Sequence, residues 1–174
     1  MDGLCDLPLV EQFEEIQKAW NRCRHLAIRS PTGSGKSIGL PTLLYQKKMV
    51  DGQIWVIQPR RIAARLLARR VAALLGCEVG GEVGYQVRFD KKYSDQTKIV
   101  YLTDGIFINN LLSDPTLSRV GLVVFDEFHE RSLQIDLALA LSKKLALSQR
   151  PSLRLIVTSA TLNLTAATDY LQDC

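Results

Sequence analysis

The chain has 174 residues, of which 47% are hydrophobic and 23% charged. This composition is that of an ordinary globular domain, and it excludes an intrinsically disordered, collagen-like or coiled-coil protein. Twenty-two lysines and arginines against eighteen aspartates and glutamates leave a formal net charge of +4, which permits a nucleic-acid partner without requiring one. Four cysteines lie far apart and form no CxxC pair, so neither a disulfide scaffold nor a zinc site is indicated.

Membrane and targeting signals are not found in the sequence. No apolar run approaches the roughly 18 residues of a membrane span, and the acidic start does not resemble a signal peptide. We therefore expect no membrane partner and a cytoplasmic location. Because no repeat, low-complexity tract or linker interrupts the chain, residues 1–174 are expected to form a single domain of about ordinary length.

Short apolar runs alternate with longer stretches of helical period, which is typical of an α/β fold with a mainly parallel sheet. An opening helix is predicted from the apolar stripe of Val10, Phe13, Ile16 and Trp20. Strands are predicted at 25–29, 53–58, 98–102, 122–125 and 153–158. Helices are predicted at 36–48, 61–75, 104–112 and 133–147. Most of these strands are apolar at consecutive positions, as expected when helices cover both faces of the sheet.

The first predicted strand leads into a loop rich in small residues, Ser-Pro-Thr-Gly-Ser-Gly-Lys-Ser at 30–37. A strand, such a loop and then a helix form the context of a phosphate-binding P-loop, in which backbone N–H groups and the helix N-terminus bind an anion. Lys36 is predicted to reach the β- and γ-phosphates, and the Ser37 hydroxyl to ligate Mg²⁺. Ser30 departs from the GxxxxGK[ST] pattern, which has glycine there. The alternative is a Gly/Ser turn that precedes a helix.

The predicted nucleotide-binding residues of this loop are Pro31, Thr32, Gly33, Ser34, Gly35, Lys36 and Ser37.

An acidic segment follows the fourth predicted strand. Asp126 suits the metal-holding aspartate of a P-loop NTPase, and Glu127 suits the base that activates the attacking water, with both carboxylates near the metal. The alternative is an acidic helix N-terminus that complements the helix dipole. The last predicted strand ends in Ser159-Ala160-Thr161, whose hydroxyl groups are placed to hydrogen-bond to the acidic segment.

These three signals, in this order, resemble those of the first RecA-like domain of superfamily 2 helicases, and Asp-Glu-Phe-His at 126–129 is similar to the DEAH-box variant. Gln-Pro-Arg-Arg at 58–61 resembles motif Ia of that group, Thr-Asp-Gly at 103–105 its motif Ib, and residues 83–89 its GYxxRF segment. Residues 126–141 are most similar to the bacterial HrpB-type branch, which carries phenylalanine in place of the alanine of DEAH. The resemblance covers nearly the whole chain.

The resemblance implies a three-layer RecA-like P-loop NTPase domain that uses ATP and Mg²⁺ to move on single-stranded nucleic acid, usually RNA, in a bacterial cytoplasm. By matching position, it assigns Mg²⁺ and water chemistry to Ser37, Asp126 and Glu127. It assigns nucleotide–RNA coupling to His129, Ser159 and Thr161. It assigns contacts with the nucleic-acid backbone to motifs Ia and Ib, with Arg60, Arg61, Thr103 and Asp104 as the matching residues.

Arg70 matches an arginine that DEAH-box proteins place against the adenine. At 100° per residue, the predicted helix at 61–75 buries an arc of Ala63, Leu67, Val71 and Leu74, with Arg70 beside it. Arg61, Arg65 and Arg69 are predicted on the opposite side. A solvated arginine whose stem covers apolar surface is the alternative for Arg70. Phe107 is the only aromatic residue near the predicted backbone-binding motifs, so base stacking is not indicated.

The resemblance further implies a second RecA-like domain, which supplies arginine fingers worth about 10³ to 10⁵ in rate. No QxxGRxGR-like segment occurs in the 174 residues. We therefore expect part of a longer helicase that binds nucleotide, hydrolyses it weakly and does not unwind alone. Two alternatives are a DNA-directed superfamily 2 motor and a non-catalytic nucleotide- or RNA-binding adaptor. The intact Lys36, Asp126 and Glu127 argue against the adaptor.

Overall fold

The computed structural model describes residues 8–31, 33–161 and 164–171. These residues form one seven-stranded sheet, which is parallel except at one edge. Its strands are β1 (Leu26–Arg29), β2 (Gln53–Gln58), β3 (Val83–Val87), β4 (Asp90–Lys92), β5 (Ile99–Thr103), β6 (Val120–Phe125) and β7 (Arg154–Ser159). Their order across the sheet is β1-β7-β6-β2-β5-β3-β4. Only β3 and β4 pair antiparallel.

Four of the described helices connect strands, one precedes β1 and one follows β7. They are α1 (Pro8–Arg22), α2 (Lys36–Gln46), α3 (Arg61–Leu75), α4 (Asp104–Ser113), α5 (Leu133–Ser148) and α6 (Leu164–Leu171), with a one-turn 3₁₀ helix at Phe128–Glu130. None of the helices in the described ranges combines the length and apolar character needed to cross a membrane.

Two hydrophobic clusters, one on each face of the sheet, confirm the prediction of a sheet covered on both sides. Along β2, Ile54 and Val56 belong to the cluster that includes α1, α2 and α3, whereas Trp55 and Ile57 belong to the other. This alternation follows from the two-residue period of a strand. Trp20 is buried in the first cluster. The α/β class with a mainly parallel sheet is therefore confirmed.

The five predicted strands are confirmed within two residues at each end, but β3, β4 and α6 were not predicted. The β4 segment is Asp-Lys-Lys, which carries no apolar signal because an edge strand exposes its side chains. In β3, Gly84 lies so close to the backbone of Lys92 that a Cβ atom would sit 2.3 Å from its carbonyl oxygen. Gly84 thus permits the hairpin while weakening the strand propensity of the sequence.

The buried face of α3 differs from the predicted arc. The fully buried residues are Ala64, Ala68, Val71 and Ala72, whereas Ala63 and Leu74 are only half-buried. Arg65, predicted on the solvated side, is only partly exposed, and its guanidinium forms an ion pair with Asp90 at 2.8 Å. Alanine side chains are small and allow the helix to approach the sheet closely. The prediction had placed the larger Leu67 and Leu74 in the buried arc.

Strand register brings the loops after the strands to one edge of the sheet. Gln58 at the end of β2 is level with Thr103 at the end of β5, and Arg29 at the end of β1 is level with Ser159 at the end of β7. The segments that follow these strands contain the predicted site residues. Parallel topology therefore collects them at the carboxyl edge, where ligands bind in sheets of this kind.

Candidate nucleotide and nucleic-acid site

The phosphate loop takes the backbone shape that its glycines permit. Gly33 and Gly35 have positive φ angles of 79° and 82°, a region that side chains with a Cβ rarely adopt. Lys36 begins α2 immediately afterwards, and the first turn of this helix carries no acidic residue to satisfy its N-terminal N–H groups. The helix N-terminus thus retains its affinity for an anion. Thr32, predicted as part of this loop, lies outside the described residues.

Lys36 and Glu127, which come from different loops, meet at the site. The Lys36 Nζ atom lies 2.9 Å from Glu127 Oε1, and the lysine side chain is almost fully buried. Its Nζ also donates to the Pro31 carbonyl at 3.5 Å. The cation that is predicted to bind phosphate therefore lies against the carboxylate that is predicted to activate water.

The start of α2 is held against the sheet by Tyr101. Its hydroxyl donates to the Ser37 carbonyl oxygen at 2.7 Å. Complete burial raises the pKa of Tyr101 well above its ordinary value, and the negative charge of Asp126 acts in the same direction. Because the phenol stays protonated, it remains a donor to the phosphate loop over the whole physiological pH range.

The serine that departs from the P-loop pattern is built into the loop. Ser30 is buried, and its hydroxyl donates to the Ser34 hydroxyl oxygen at 2.6 Å. Its backbone N–H donates to the Ser159 carbonyl at 3.1 Å. Ser30 therefore connects the phosphate loop to the end of β7, which was predicted to couple nucleotide and RNA. Because this contact is made by the backbone N–H, it does not require the glycine of the GxxxxGK[ST] pattern.

Asp126 is the most enclosed acidic group of the site, with 1% of the residue exposed. Gln58 Nε2 donates to one of its carboxylate oxygens at 2.6 Å, and Thr158 Oγ1 donates to the other at 2.5 Å. These donors orient the carboxylate as the partners of a metal ligand do. Each comes from the end of a neighbouring strand, β2 or β7, so the sheet itself positions Asp126.

Glu127 adopts a left-handed backbone conformation, with φ 51° and ψ 40°. Such a conformation costs a residue other than glycine about 1–2 kcal/mol, and residues of this kind cluster at functional sites. This backbone conformation turns the chain so that the Glu127 carboxylate faces Lys36. His129 Nδ1 lies 3.4 Å from Glu127 Oε2 and 3.5 Å from the Ala160 amide nitrogen.

The predicted coupling residues lie together around this histidine. Ser159 is fully buried, and its Oγ accepts a hydrogen bond from the Thr161 amide at 3.2 Å. Thr161, which is exposed, lines a cavity of about 510 Å³ together with His129 and Ser159. The end of β7 thus contacts the acidic segment through His129 and the phosphate loop through Ser30.

The residues predicted to contact nucleic acid differ in exposure. Arg60 and Arg61 are exposed at the start of α3, and Arg60 Nη2 forms an ion pair with Glu130 at 3.1 Å. Thr103 is only 8% exposed. Asp104 accepts hydrogen bonds from the Gly105 amide at 2.7 Å and the Ser132 hydroxyl at 2.9 Å. The two arginines therefore offer most of the accessible charge.

Few protein side chains would coordinate a divalent ion at this site. Within the described ranges, no three His, Cys, Asp or Glu side chains gather as a metal-binding group. Mg²⁺ is often held by one or two protein oxygens together with substrate phosphates. The Ser37 hydroxyl and the Asp126 and Glu127 carboxylates are oxygen donors of the kind that such a shared site uses.

The sequence model of the DEAD/DEAH box helicase family matches residues 11–169. The chain belongs to this family. The helicase domain is 40% identical over 160 residues to the ATP-dependent RNA helicase HrpB of Escherichia coli, covering 92% of the chain and 20% of the relative. It is 39% identical over 168 residues to the ATP-dependent RNA helicase HrpA of Borreliella burgdorferi, covering 96% and 20%.

A crystal structure of the E. coli DExH-box NTPase HrpB matches the helicase domain with a TM-score of 0.89 and 39% identity, over 95% of this chain and 20% of that one. The predicted RecA-like fold and the similarity to HrpB-type helicases are therefore confirmed. The chain spans about a fifth of the length of these relatives.

Two hydrogen-bond donors to Asp126 were not predicted from the sequence. Gln58 was noted only as part of motif Ia, and Thr158 only as the end of a strand, yet both hold Asp126. Their signal was a polar side chain at the end of an otherwise apolar strand, because burying such a side chain is costly unless it has a hydrogen-bond partner.

Arg70 lies exposed on α3, at the rim next to the half-buried Ala63 and Leu74.

Proposed function

We propose that this helicase domain binds Mg-ATP between the phosphate loop and the Asp126–Glu127 turn, as part of an ATP-dependent RNA helicase. The observation that carries the proposal is the pairing of the buried Lys36 with Glu127 at the mouth of a glycine loop. Burying the charge of Lys36 in this way is costly, since Glu127, its charged partner, is itself partly exposed. The Lys36–Glu127 pair lies at the position where a polyphosphate would need a cation and where an attacking water would need a base.

The ion pair suggests how binding prepares the reaction. The phosphates of ATP compete with Glu127 for the ammonium group of Lys36, since both are anions of similar reach. Once Lys36 turns to phosphate, the Glu127 carboxylate is free to accept a proton from water. Ser37 and Asp126 are the residues proposed to hold Mg²⁺, which would supply positive charge to the phosphates. Glu127 is proposed to face the water shell that the ion would carry.

The remaining loop residues have supporting roles. The backbone of Pro31, Gly33, Ser34 and Gly35, together with Thr32, is proposed to wrap the phosphates, and Arg70 to contact the base. His129, Ser159 and Thr161 are proposed to transmit the nucleotide state, because they join the acidic segment to the end of β7.

A pair of variants tests the chemistry. Lys36→Ala is expected to weaken binding of a fluorescent ATP analogue at least about tenfold, because it removes a charged partner of the phosphate. Lys144→Ala, an exposed lysine on α5, is the matched control and should bind like the parent. Glu127→Gln, measured in the full-length protein, should keep binding but lose turnover. Equal affinity of Lys36→Ala and the control would overturn the phosphate role, and undiminished hydrolysis by Glu127→Gln would remove Glu127 as the base.

Single-stranded RNA is the proposed track, contacted by Arg60, Arg61, Thr103 and Asp104 along the carboxyl edge. The support is the description of the relatives as RNA helicases and the exposure of the two arginines. Competition between RNA and DNA strands of the same sequence tests the substrate, and equal affinities would favour a general single-strand motor. We also propose that a second RecA-like domain in the full-length protein completes the nucleotide site, so the 174 residues alone hydrolyse ATP slowly.

A further inference from the structure

A proline interrupts the hydrogen bonding of α2 at the residue that is proposed to hold Mg²⁺. In an α-helix, the carbonyl of each residue accepts a hydrogen bond from the N–H group four residues later. For Ser37 that later residue is Pro41, which lies inside α2 and is buried. Because proline has no N–H group, the helix cannot supply the donor for the Ser37 carbonyl.

Tyr101 of β5 supplies a donor at this position. Its hydroxyl donates to the Ser37 carbonyl oxygen at 2.7 Å, across 64 residues of sequence. The next carbonyl along the helix, that of Ile38, accepts a hydrogen bond from the Thr42 hydroxyl at 2.6 Å. A carbonyl that is shielded from water is destabilising without a donor. The Tyr101 hydroxyl therefore replaces the hydrogen bond that Pro41 cannot make.

The support behind the Tyr101 hydroxyl is rigid. Tyr101 is completely buried, and β5 is an interior strand that pairs with β2 on one side and with β3 on the other. Tyr101 is level with Val56 of β2 and with Tyr85 of β3. A side chain enclosed in this way cannot change its rotamer without displacing its neighbours. The hydroxyl is consequently held in place before any ligand binds.

The hydrogen bond engages the backbone of Ser37, so it does not use the side-chain hydroxyl that is proposed to bind the metal. By fixing the carbonyl of Ser37, Tyr101 sets the direction in which that hydroxyl projects from the first turn of α2. Asp126 is oriented in a comparable way by Gln58 and Thr158. Partners that orient a metal ligand are typically worth about 10-fold to 100-fold in metal affinity.

We propose that Tyr101 is a positioning residue for the magnesium ligand Ser37, replacing the helical hydrogen bond that Pro41 removes. The inference rests on the proposed binding of Mg-ATP and deepens it. It adds a residue of β5 to a site that is otherwise built from the phosphate loop and the Asp126–Glu127 turn. Tyr101 acts on the metal only through Ser37, so its loss affects metal binding more than phosphate binding.

A Mg²⁺ titration of the binding of a fluorescent ATP analogue to the 174-residue chain tests this role. Tyr101→Phe removes only the hydroxyl, and we expect it to raise the Mg²⁺ concentration for half-maximal binding about tenfold. In excess EDTA, the variant and the parent should bind the analogue equally, because the phosphate contacts are retained. A general loosening of the fold would instead weaken binding under both conditions, and that result would overturn the proposal.

Tyr85→Phe is the matched control, because Tyr85 is also a buried tyrosine, and its hydroxyl donates to Asp90 at 2.9 Å. This variant should keep the Mg²⁺ dependence of the parent. Pro41→Ala restores an N–H group at position 41, so Tyr101→Phe should change the Mg²⁺ dependence less in the Pro41→Ala background than alone. If Tyr101→Phe alone does not fold, Pro41→Ala is compared with the double variant, and a tenfold shift between these two overturns the proposal.

Ser37→Ala, which removes the proposed ligand itself, distinguishes the two proposals. A loss of Mg²⁺ dependence in Ser37→Ala with parental behaviour in Tyr101→Phe overturns the positioning role and leaves the proposed Mg-ATP site standing. Equal effects of Tyr101→Phe and Tyr85→Phe, or equal effects of Tyr101→Phe in both backgrounds, also overturn it. Nucleotide binding by the parent that does not respond to Mg²⁺, or no binding at all, overturns both proposals.

Discussion

The hydroxyl of Thr158 is predicted to stabilise the domain mainly through the buried carboxylate of Asp126. Thr158→Val keeps the shape of the side chain but removes the donor that lies 2.5 Å from Asp126 Oδ1. Hydrogen bonds to charged groups contribute about 1.5–3 kcal/mol, while the added methyl group recovers about 0.8 kcal/mol of burial. We therefore expect a net loss of about 1–2 kcal/mol, which in a domain of this size lowers the melting temperature by about 3–6 °C.

Urea unfolding of the parent and variant measures this loss, and Thr42→Val is the matched control. Thr42 is also a fully buried threonine, but its hydroxyl donates at 2.6 Å to the Ile38 carbonyl in its own helix. Removing that bond leaves no charge unpaired, so the control should lose about 0.5 kcal/mol. In an Asp126→Ala background, Thr158→Val should cost almost nothing because the acceptor has gone. Equal costs in both backgrounds would refute the reasoning.

Two further predictions concern the frame of the site. Gly121→Ala places a Cβ atom 1.9 Å from the Asp51 carbonyl oxygen, so we expect a loss of about 3 kcal/mol or more, and a loss below about 1 kcal/mol in urea unfolding would contradict it. Partial burial alone would raise the pKa of Asp114, but hydrogen bonds from Thr116 and Ser118 outweigh it and lower the pKa from the ordinary 3.8. The lowered pKa makes Asp114 stabilising above that pH and less so as pH falls through its folded-state pKa, so Asp114→Asn should flatten the acid limb of the stability curve; an unchanged acid limb would contradict this.

Much of the fold and of the nucleotide site could be predicted because the signals are local. The apolar runs of β2, β6 and β7 and the helical period of α5 depend on neighbouring residues, so their positions were predicted within two residues. The β3–β4 hairpin could not be predicted in this way. Asp-Lys-Lys at 90–92 becomes a strand only because β3 offers it a backbone partner, and pairing between segments leaves little trace in composition.

The chemistry of the loops follows from the residue types and their spacing. Glycines at positions that require positive φ, a lysine at the start of a helix and two carboxylates after an apolar strand are all readable from residue types and spacing. Their order along the chain resembles that of superfamily 2 helicases, and this resemblance indicated a helicase domain.

Which of these groups meet depends on the packing of the sheet. Strand order and register bring Lys36 to Glu127, place two donors on Asp126 and leave Arg60 exposed. Those properties follow from the packing of the whole sheet. A residue's partners across the sheet come from segments tens of residues away, so local pattern alone leaves undetermined whether a side chain is paired, buried or presented to solvent.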